Sequence, residues 1–138
     1  MEEQNMKFLT DEWFDTVAAN AYKLLNKSGK MSFRFCEVYE NCPGEHPTAW
    51  ICFTVENNLL KGVEHGYGET PQCDYFAKGK YEDHIKVCKK QLDPKKSVIN
   101  GTFSVEDRQG GTSPLKLMNL VSMYTKLVEA KQIPGVEY

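Results

Sequence analysis

The spacing of apolar residues divides the chain into a helix, three strands, a mixed central segment and a second long helix. After Thr10, a residue type that caps helices, apolar side chains recur at helical spacing on one broad side. This helix is expected to end between residues 26 and 29. Three segments that follow are rich in aromatic and β-branched residues and are predicted to be strands: residues 31–39, 49–55 and 59–65. Their short connections indicate an antiparallel meander.

The central segment connects a fourth strand to a fifth. Residues 73–78 alternate as a strand does, and Gly79 is expected to break it. A helix should follow, because three apolar residues recur at helical spacing: Ile85, Cys88 and Leu92. Asp93 as the cap and Pro94 at the first helical position predict a second, short helix, and Gly101 is the residue type that ends one. Alternation then returns the chain to the sheet.

The last predicted helix carries more apolar residues than one core-facing side needs. Ser113 and Pro114 repeat the signal of a cap followed by a proline. The main stripe of the helix contains Leu117, Leu120, Val121, Tyr124, Leu127 and Val128. Three further apolar residues lie outside that stripe: Leu115, Met118 and Met123. Such a helix is expected to contact something on a second side, for example a ligand cavity or a partner.

This order of elements predicts an α+β fold. The elements follow the order α-β3-crossover-β-α-β-α. A length of 138 residues suits a single domain that spans residues 1–138.

Composition places few limits on function. The net charge of −2 gives no general attraction to nucleic acid, and no interleaved aromatic residues suggest a nucleic-acid surface. The start of the chain is acidic and polar, without an apolar leader, and five cysteines at irregular spacing fit reduced thiols. We therefore expect a cytoplasmic protein.

One region is basic within this acidic chain. Five of its lysines follow the fourth strand and are candidates for contact with an anionic head group or membrane surface: Lys86, Lys89, Lys90, Lys95 and Lys96. An ordinary solvated helix surface is the alternative interpretation.

Catalytic and metal-binding motifs are weak. His46, His65 and His84 belong to no recognisable nucleophile or acid–base motif, and His84 is expected to lie in a solvated first helical turn. A zinc site from Cys42 and His46, with Cys36 or Cys52, would need spacings unlike those of structural zinc sites. We expect no catalytic residue, no metal and no cofactor.

Short motifs at the turns give the chain a resemblance to a known family. The segments 81–83, 92–94 and 100–101 read Tyr-Glu-Asp, Leu-Asp-Pro and Asn-Gly, and residues 6–13 resemble the start of small stand-alone prokaryotic members. Together with the element order they resemble the sterol carrier protein type 2 domain family. That resemblance implies two layers, a five-stranded, mostly antiparallel sheet covered by helices. It also implies an apolar tunnel between helices and sheet that accepts a sterol, a fatty acid or an acyl-CoA. The residues it places along the tunnel are Ile85, Cys88, Leu92, Ile99, Phe103, Leu117, Leu120, Val121 and Tyr124.

Two departures from the family pattern affect the expected tunnel mouth. Glu106 and Asp107 replace a glycine-aspartate pair after the last strand, and Lys90 stands where many members have glycine. The resulting hypothesis is non-enzymatic binding or carriage of a hydrophobic ligand, with transient contact with an anionic membrane. The alternatives are a homodimeric interaction or regulatory module with a closed core, and, third, an enzyme that acts on acyl-type substrates.

Overall fold

The computed structural model describes residues 6–138. In chain order the elements are β1 (Met6–Lys7), α1 (Asp11–Leu24), β2 (Phe33–Glu40), β3 (Ala49–Glu56), β4 (Leu59–Tyr67), β5 (Tyr75–Lys80), α2 (Tyr81–Cys88), α3 (Pro94–Ile99), β6 (Ser104–Asp107), α4 (Pro114–Lys131) and β7 (Val136–Glu137). The start at residues 1–5, on which the expectation of an absent leader partly rests, lies outside the described residues.

Five strands form the main sheet, in the order β4-β3-β2-β5-β6. The strands β2, β3 and β4 pair antiparallel as a meander, and β5 lies parallel to β2 on the other side. Strand β6 completes the sheet antiparallel to β5. The predicted α+β fold with a five-stranded, mostly antiparallel sheet is therefore confirmed.

The helices cover one face of this sheet. On β2 the side chains of Phe33, Phe35 and Tyr39 join the main core with Trp13 and Phe14 of α1. The intervening positions point to the other face, where a small second cluster contains Cys36, Val38, Cys52 and Phe76, packed against Trp50 and Cys73. This alternation means that each central strand contributes to two different environments.

The predicted helix caps are confirmed. The side chains of Thr10, Asp93 and Ser113 accept hydrogen bonds from backbone N–H groups in the first turns of α1, α3 and α4, at 3.4, 3.3 and 3.2 Å. Pro94 and Pro114 follow at the first helical positions, where proline removes no intrahelical hydrogen bond. Gly101 follows α3 with a φ of +82°, a conformation that favours glycine.

A two-stranded parallel pair was not predicted. Met6 of β1 pairs with Val136 of β7, and the Phe8 N–H donates to the Glu137 carbonyl at 2.9 Å. A strand of two residues is too short to show an alternating pattern, so the sequence gives no indication of this strand pair.

The expectation that Gly79 ends the fourth strand was wrong. Gly79 is buried within β5, where it pairs with Tyr39 of β2, and the strand continues to Lys80. A Cβ atom at Gly79 would overlap the Phe103 ring and lie 3.2 Å from His84 Nε2. The glycine is needed because an aromatic ring packs directly on its backbone.

Replacing Gly79 with alanine should therefore destabilise the protein. We expect Gly79→Ala to lower the free energy of unfolding by about 1–3 kcal/mol, the usual effect of overpacking a core. Gly62→Ala is the matched control, because a Cβ there meets its nearest atom only at 3.9 Å. Urea unfolding of both variants measures the difference, and equal stability of the two would contradict the packing argument.

Candidate functional site

The two halves of α4 have different surroundings. Its C-terminal half is buried against the sheet through Met123, Tyr124, Leu127 and Val128. Leu115 and Met118 in the N-terminal half are each 70% exposed. The helix therefore packs tightly at one end and leaves apolar side chains uncovered at the other.

A small apolar cavity lies beneath this uncovered half. Residues of α4, α3 and the strands β2, β5 and β6 line it, and it has a volume of about 40 Å³. The residues that line it are Phe35, Tyr75, Ala77, Val98, Val105, Leu117, Leu120, Val121 and Tyr124. Pockets that hold small molecules usually measure about 300–1,000 Å³, so the cavity in this conformation has room for only a few water-sized groups.

An outer groove between α3 and α4 adjoins the cavity. Its volume is about 320 Å³, and it shares Val98, Leu117 and Val121 with the cavity lining. Ile99 and Met118 line its outer part and are 85% and 70% exposed. The cavity and the groove thus form an apolar crevice that reaches the surface.

The nine predicted tunnel residues fall into two groups. Leu117, Leu120, Val121 and Tyr124 line the cavity, and Ile99 lines the outer groove. The other four are not among the lining residues. Cys88 and Phe103 are buried in the main core, and Ile85 and Leu92 are half-buried against it.

Five cavity-lining residues were missed by the sequence analysis: Phe35, Tyr75, Ala77, Val98 and Val105. Phe35, Tyr75 and Ala77 occupy helix-facing positions of β2 and β5, so strand alternation gives their side of the sheet. Alternation does not show that β2 and β5 lie side by side beneath α4. That arrangement depends on the parallel pairing of two strands that are distant in sequence.

The five candidate lysines do not form one compact cluster. Lys95 lines the outer groove, and Lys96 is exposed on the same short helix. Lys89 lies instead over the Tyr138 ring, with its ammonium 5.2 Å from the ring centre. Lys86 and Lys90 are also exposed, and no ion pair involves any of the five within residues 6–138.

A buried ion pair next to the cavity was not predicted. Glu37 of β2 accepts hydrogen bonds from the Lys131 ammonium of α4 and from the Tyr39 hydroxyl, and both Glu37 and Lys131 are only 1% exposed. Desolvation by itself raises the pKa of Glu37. The Lys131 charge and the two hydrogen bonds outweigh that effect, so the pKa of this carboxyl lies below its usual value.

His84 lies beside this pair, and the expectation that it is solvated was wrong. The side chain is fully buried, its Nε2 is 2.9 Å from the Val38 carbonyl, and it packs between Tyr39 and Phe103. Burial lowers the pKa of His84 to about 3 despite the nearby Glu37 carboxylate. The imidazole is therefore neutral at physiological pH and donates to Val38 through Nε2.

Tyr124 lies between the Glu37–Lys131 ion pair and the cavity. Its side chain lines the cavity wall, and its hydroxyl is buried without a hydrogen-bond partner within residues 6–138. Burial and the Glu37 carboxylate raise its pKa well above the ordinary value, so the hydroxyl stays protonated.

The candidate zinc ligands do not converge. Cys42 packs against the helix-covered core, whereas Cys36 and Cys52 belong to the cluster on the opposite sheet face. Within residues 6–138 no group of three His, Cys, Asp or Glu side chains is arranged to hold a metal ion. In the same part of the chain, no helix is both long and apolar enough to cross a bilayer.

Solved structures share this fold at low sequence identity. A crystal structure of sterol carrier protein 2 matches with a TM-score of 0.74 and 11% identity, over 91% of this chain and 98% of its own. A conserved hypothetical protein from Thermus thermophilus, suggested to be a sterol carrier protein, gives 0.65 and 12%, over 94% and 91%. Sterol carrier protein domain 2 of Helicoverpa armigera gives 0.56 and 12%, over 91% and 95%. No family model and no curated protein matches the sequence.

The chain therefore has the fold of sterol carrier protein 2. The resemblance to the sterol carrier protein type 2 domain family, drawn from the turn motifs, is confirmed for the fold. The stand-alone prokaryotic type stays a prediction.

The buried neutral His84 should make stability depend on pH. The pKa of His84 is about 3 in the folded protein, whereas an unperturbed histidine, as in the unfolded chain, has a pKa of 6.5. As the pH falls, the unfolded chain therefore binds the proton first. Stability should fall as the pH drops below about 6.5, by up to about 1.4 kcal/mol per pH unit. Glu37, with its lowered pKa, adds to this loss only at more acidic pH.

Urea unfolding at about pH 7 and about pH 5 measures this effect. His84→Gln should remove most of the difference between the two pH values, whereas His46→Gln, a change at an exposed histidine, should preserve it. An unchanged pH dependence in His84→Gln would show that other groups are responsible.

Proposed function

We propose that the protein binds a hydrophobic ligand of the sterol, fatty acid or acyl-CoA type in the crevice between α3, α4 and the sheet, and carries it without chemical change. The observation that carries this proposal is the apolar cavity and groove beneath the uncovered half of α4. The shared fold with proteins named as sterol carriers supports it. The buried Glu37 is held by Lys131 and Tyr39, which argues against a free general base at this site.

Ligand entry would require the N-terminal half of α4 to move away from the sheet. The cavity of about 40 Å³ is far smaller than a lipid tail, but the groove of about 320 Å³ lies directly beside it. Gly110 and Gly111 precede the helix with φ values of +71° and +63°, in a loop that can absorb such a movement. The anchored C-terminal half would stay in place.

The binding energy would come mainly from apolar burial. Each buried methylene contributes about 0.8 kcal/mol, so eight of them contribute roughly 6 kcal/mol before the cost of ordering the ligand. Polar groups are almost absent from the cavity wall. We therefore expect selection by length and shape of the apolar part rather than by a polar head.

A bulky residue inside the cavity should block binding. Leu120→Trp or Val121→Trp should weaken uptake of a fluorescent fatty acid at least about tenfold, because the indole fills the space that the tail would occupy. Lys126→Trp is the matched control, since Lys126 is exposed on the same helix and lies outside the linings of both the cavity and the groove. Fluorescence titration measures the affinities.

The variants should first be shown to unfold in a single cooperative transition at a denaturant concentration close to that of the unaltered protein. Uptake by a folded Leu120→Trp variant that equals uptake by Lys126→Trp would contradict this location of the site. No uptake by the unaltered protein, together with no lipid in an organic extract of protein purified from its host, would contradict carriage itself.

The mouth of the crevice has the features of a membrane-contact surface. Ile99, Leu115 and Met118 are exposed apolar residues, and Ile99 and Met118 line the outer groove. Lys95 also lines the groove, and the exposed Lys96 follows it on α3. We propose that this mouth patch, defined by these five residues, contacts an anionic membrane during ligand transfer. The more distant Lys86, Lys89 and Lys90 would add long-range attraction.

Neutralising the patch lysines should weaken vesicle binding. Lys95→Gln with Lys96→Gln should lower binding to phosphatidylserine-containing vesicles by about 5- to 30-fold, since each lysine near such a surface contributes on the order of 1 kcal/mol. Lys30→Gln with Lys61→Gln is the matched control, because these exposed lysines lie toward the opposite sheet edge. Vesicle co-sedimentation at low salt measures binding.

Equal binding to neutral and anionic vesicles would contradict the membrane role of the lysines. A dimer that forms in solution and is lost in Met118→Ser would favour the alternative, in which a second copy covers the mouth patch.

A further inference from the structure

The sheet face that the helices leave uncovered carries three thiols. Cys36 lies on β2, Cys52 lies opposite it on β3, and Cys73 lies in the segment that enters β5. The Cys52 and Cys73 sulfurs are 3.0 Å apart, and both residues are free cysteines. A pair of thiols in contact can close a disulfide with only a small movement of the side chains.

The two thiols of this pair differ in access. Cys52 is buried, whereas Cys73 is half-exposed and lines a surface groove of about 420 Å³ together with Gln72, Phe76 and Arg108. A small oxidant can therefore reach the Cys73 sulfur first. Cys52, behind it, is placed to attack next.

A positive charge lies beside the pair. Arg34 on β2 places a guanidinium nitrogen 3.6 Å from the Cys52 sulfur, and it is held there by a hydrogen bond to the Gln72 carbonyl at 2.8 Å. The guanidinium favours the thiolate that must form. The neighbouring Cys36 thiol and burial act against it and, although the contact with Cys52 has the opposite effect, raise the pKa of Cys73 to about 12, so oxidation should be slow rather than instantaneous.

We propose that Cys52 and Cys73 form a redox-sensitive dithiol that is converted reversibly to a disulfide by a low-molecular-weight disulfide such as oxidised glutathione. The Cys73 thiolate attacks one sulfur of the small disulfide, forms a mixed disulfide and releases one small thiol. The Cys52 thiolate then attacks the Cys73 sulfur, which forms the internal bond and releases the second small thiol. Two protein thiols are oxidised, one small disulfide is reduced to two thiols, and the two protons of the protein thiols pass to the released thiolates.

The internal bond would join β3 to the entry of β5, between residues that are 21 positions apart in sequence. It would hold the segment before β5 on the sheet, where Asp74 already accepts a hydrogen bond from the Arg34 N–H at 2.8 Å. Closing a loop of this length should raise the melting temperature by at least about 5 °C.

Equilibration in glutathione buffers of increasing oxidising strength tests the proposal. Free thiols are then alkylated and the intact mass is measured, and a peptide digest identifies the linked residues. The unaltered protein should lose two alkylation sites, yield a peptide pair that joins Cys52 to Cys73, and recover both sites in reducing buffer.

Three variants make the result specific. Cys73→Ser should abolish the internal bond, Cys73→Ala should do the same if the serine variant folds poorly, and Cys42→Ser should leave it unchanged. An internal bond that persists in Cys73→Ser and joins Cys36 to Cys52 would overturn the proposal, as would an unaltered protein that carries only mixed glutathione adducts at equilibrium.

Discussion

The ion pair between Glu37 and Lys131 fixes how the helical layer sits on the sheet. It connects the middle of β2, the central strand, to the last turn of α4, which is 94 residues away in sequence. Both groups are out of contact with water, so losing either partner would leave an uncompensated buried charge, which typically costs about 3–5 kcal/mol. The C-terminal half of α4 is therefore held at one position, while its N-terminal half depends on weaker apolar contacts.

This difference along one helix explains why the crevice lies where it does. Beyond the anchored half, the apolar residues of α4 face Val98 on α3 and Val105 on the short edge strand β6. Neither element is wide enough to cover them, and Leu115 and Met118 remain exposed. A helix fixed at one end and loosely packed at the other can open without loss of the core.

Most of the fold could be predicted from the sequence, because its helices and strands depend mainly on residues that are close together in the chain. Caps such as Asp93 and Ser113, alternating strands and Gly101 all act within a few residues. Lys90 shows the limit of reading residue types alone. The family resemblance leads one to expect glycine at this position, and Lys90 has a φ of +63°, in the left-handed region that favours glycine.

The site was predicted only in part, because much of it depends on contacts distant in sequence. Leu117, Leu120, Val121 and Tyr124 follow from the apolar excess of one helix. The buried state of His84 depends on Tyr39 and Phe103, and the role of Gly79 depends on that same phenylalanine ring. No pattern near residues 79–84 indicates which distant aromatic residues will pack there. The pairing of Glu37 with Lys131 is unpredictable for the same reason.

The alternation of side chains through a single sheet layer has a mechanical consequence for β5. Tyr75 and Ala77 face the cavity, while Phe76 between them belongs to the cysteine-bearing cluster on the other face. One strand is thus a common wall of two compartments that share no side chain. A displacement of β5 of even a fraction of an ångström changes the packing on both faces at once. The geometry of the cysteine-bearing cluster and the volume of the cavity are therefore coupled.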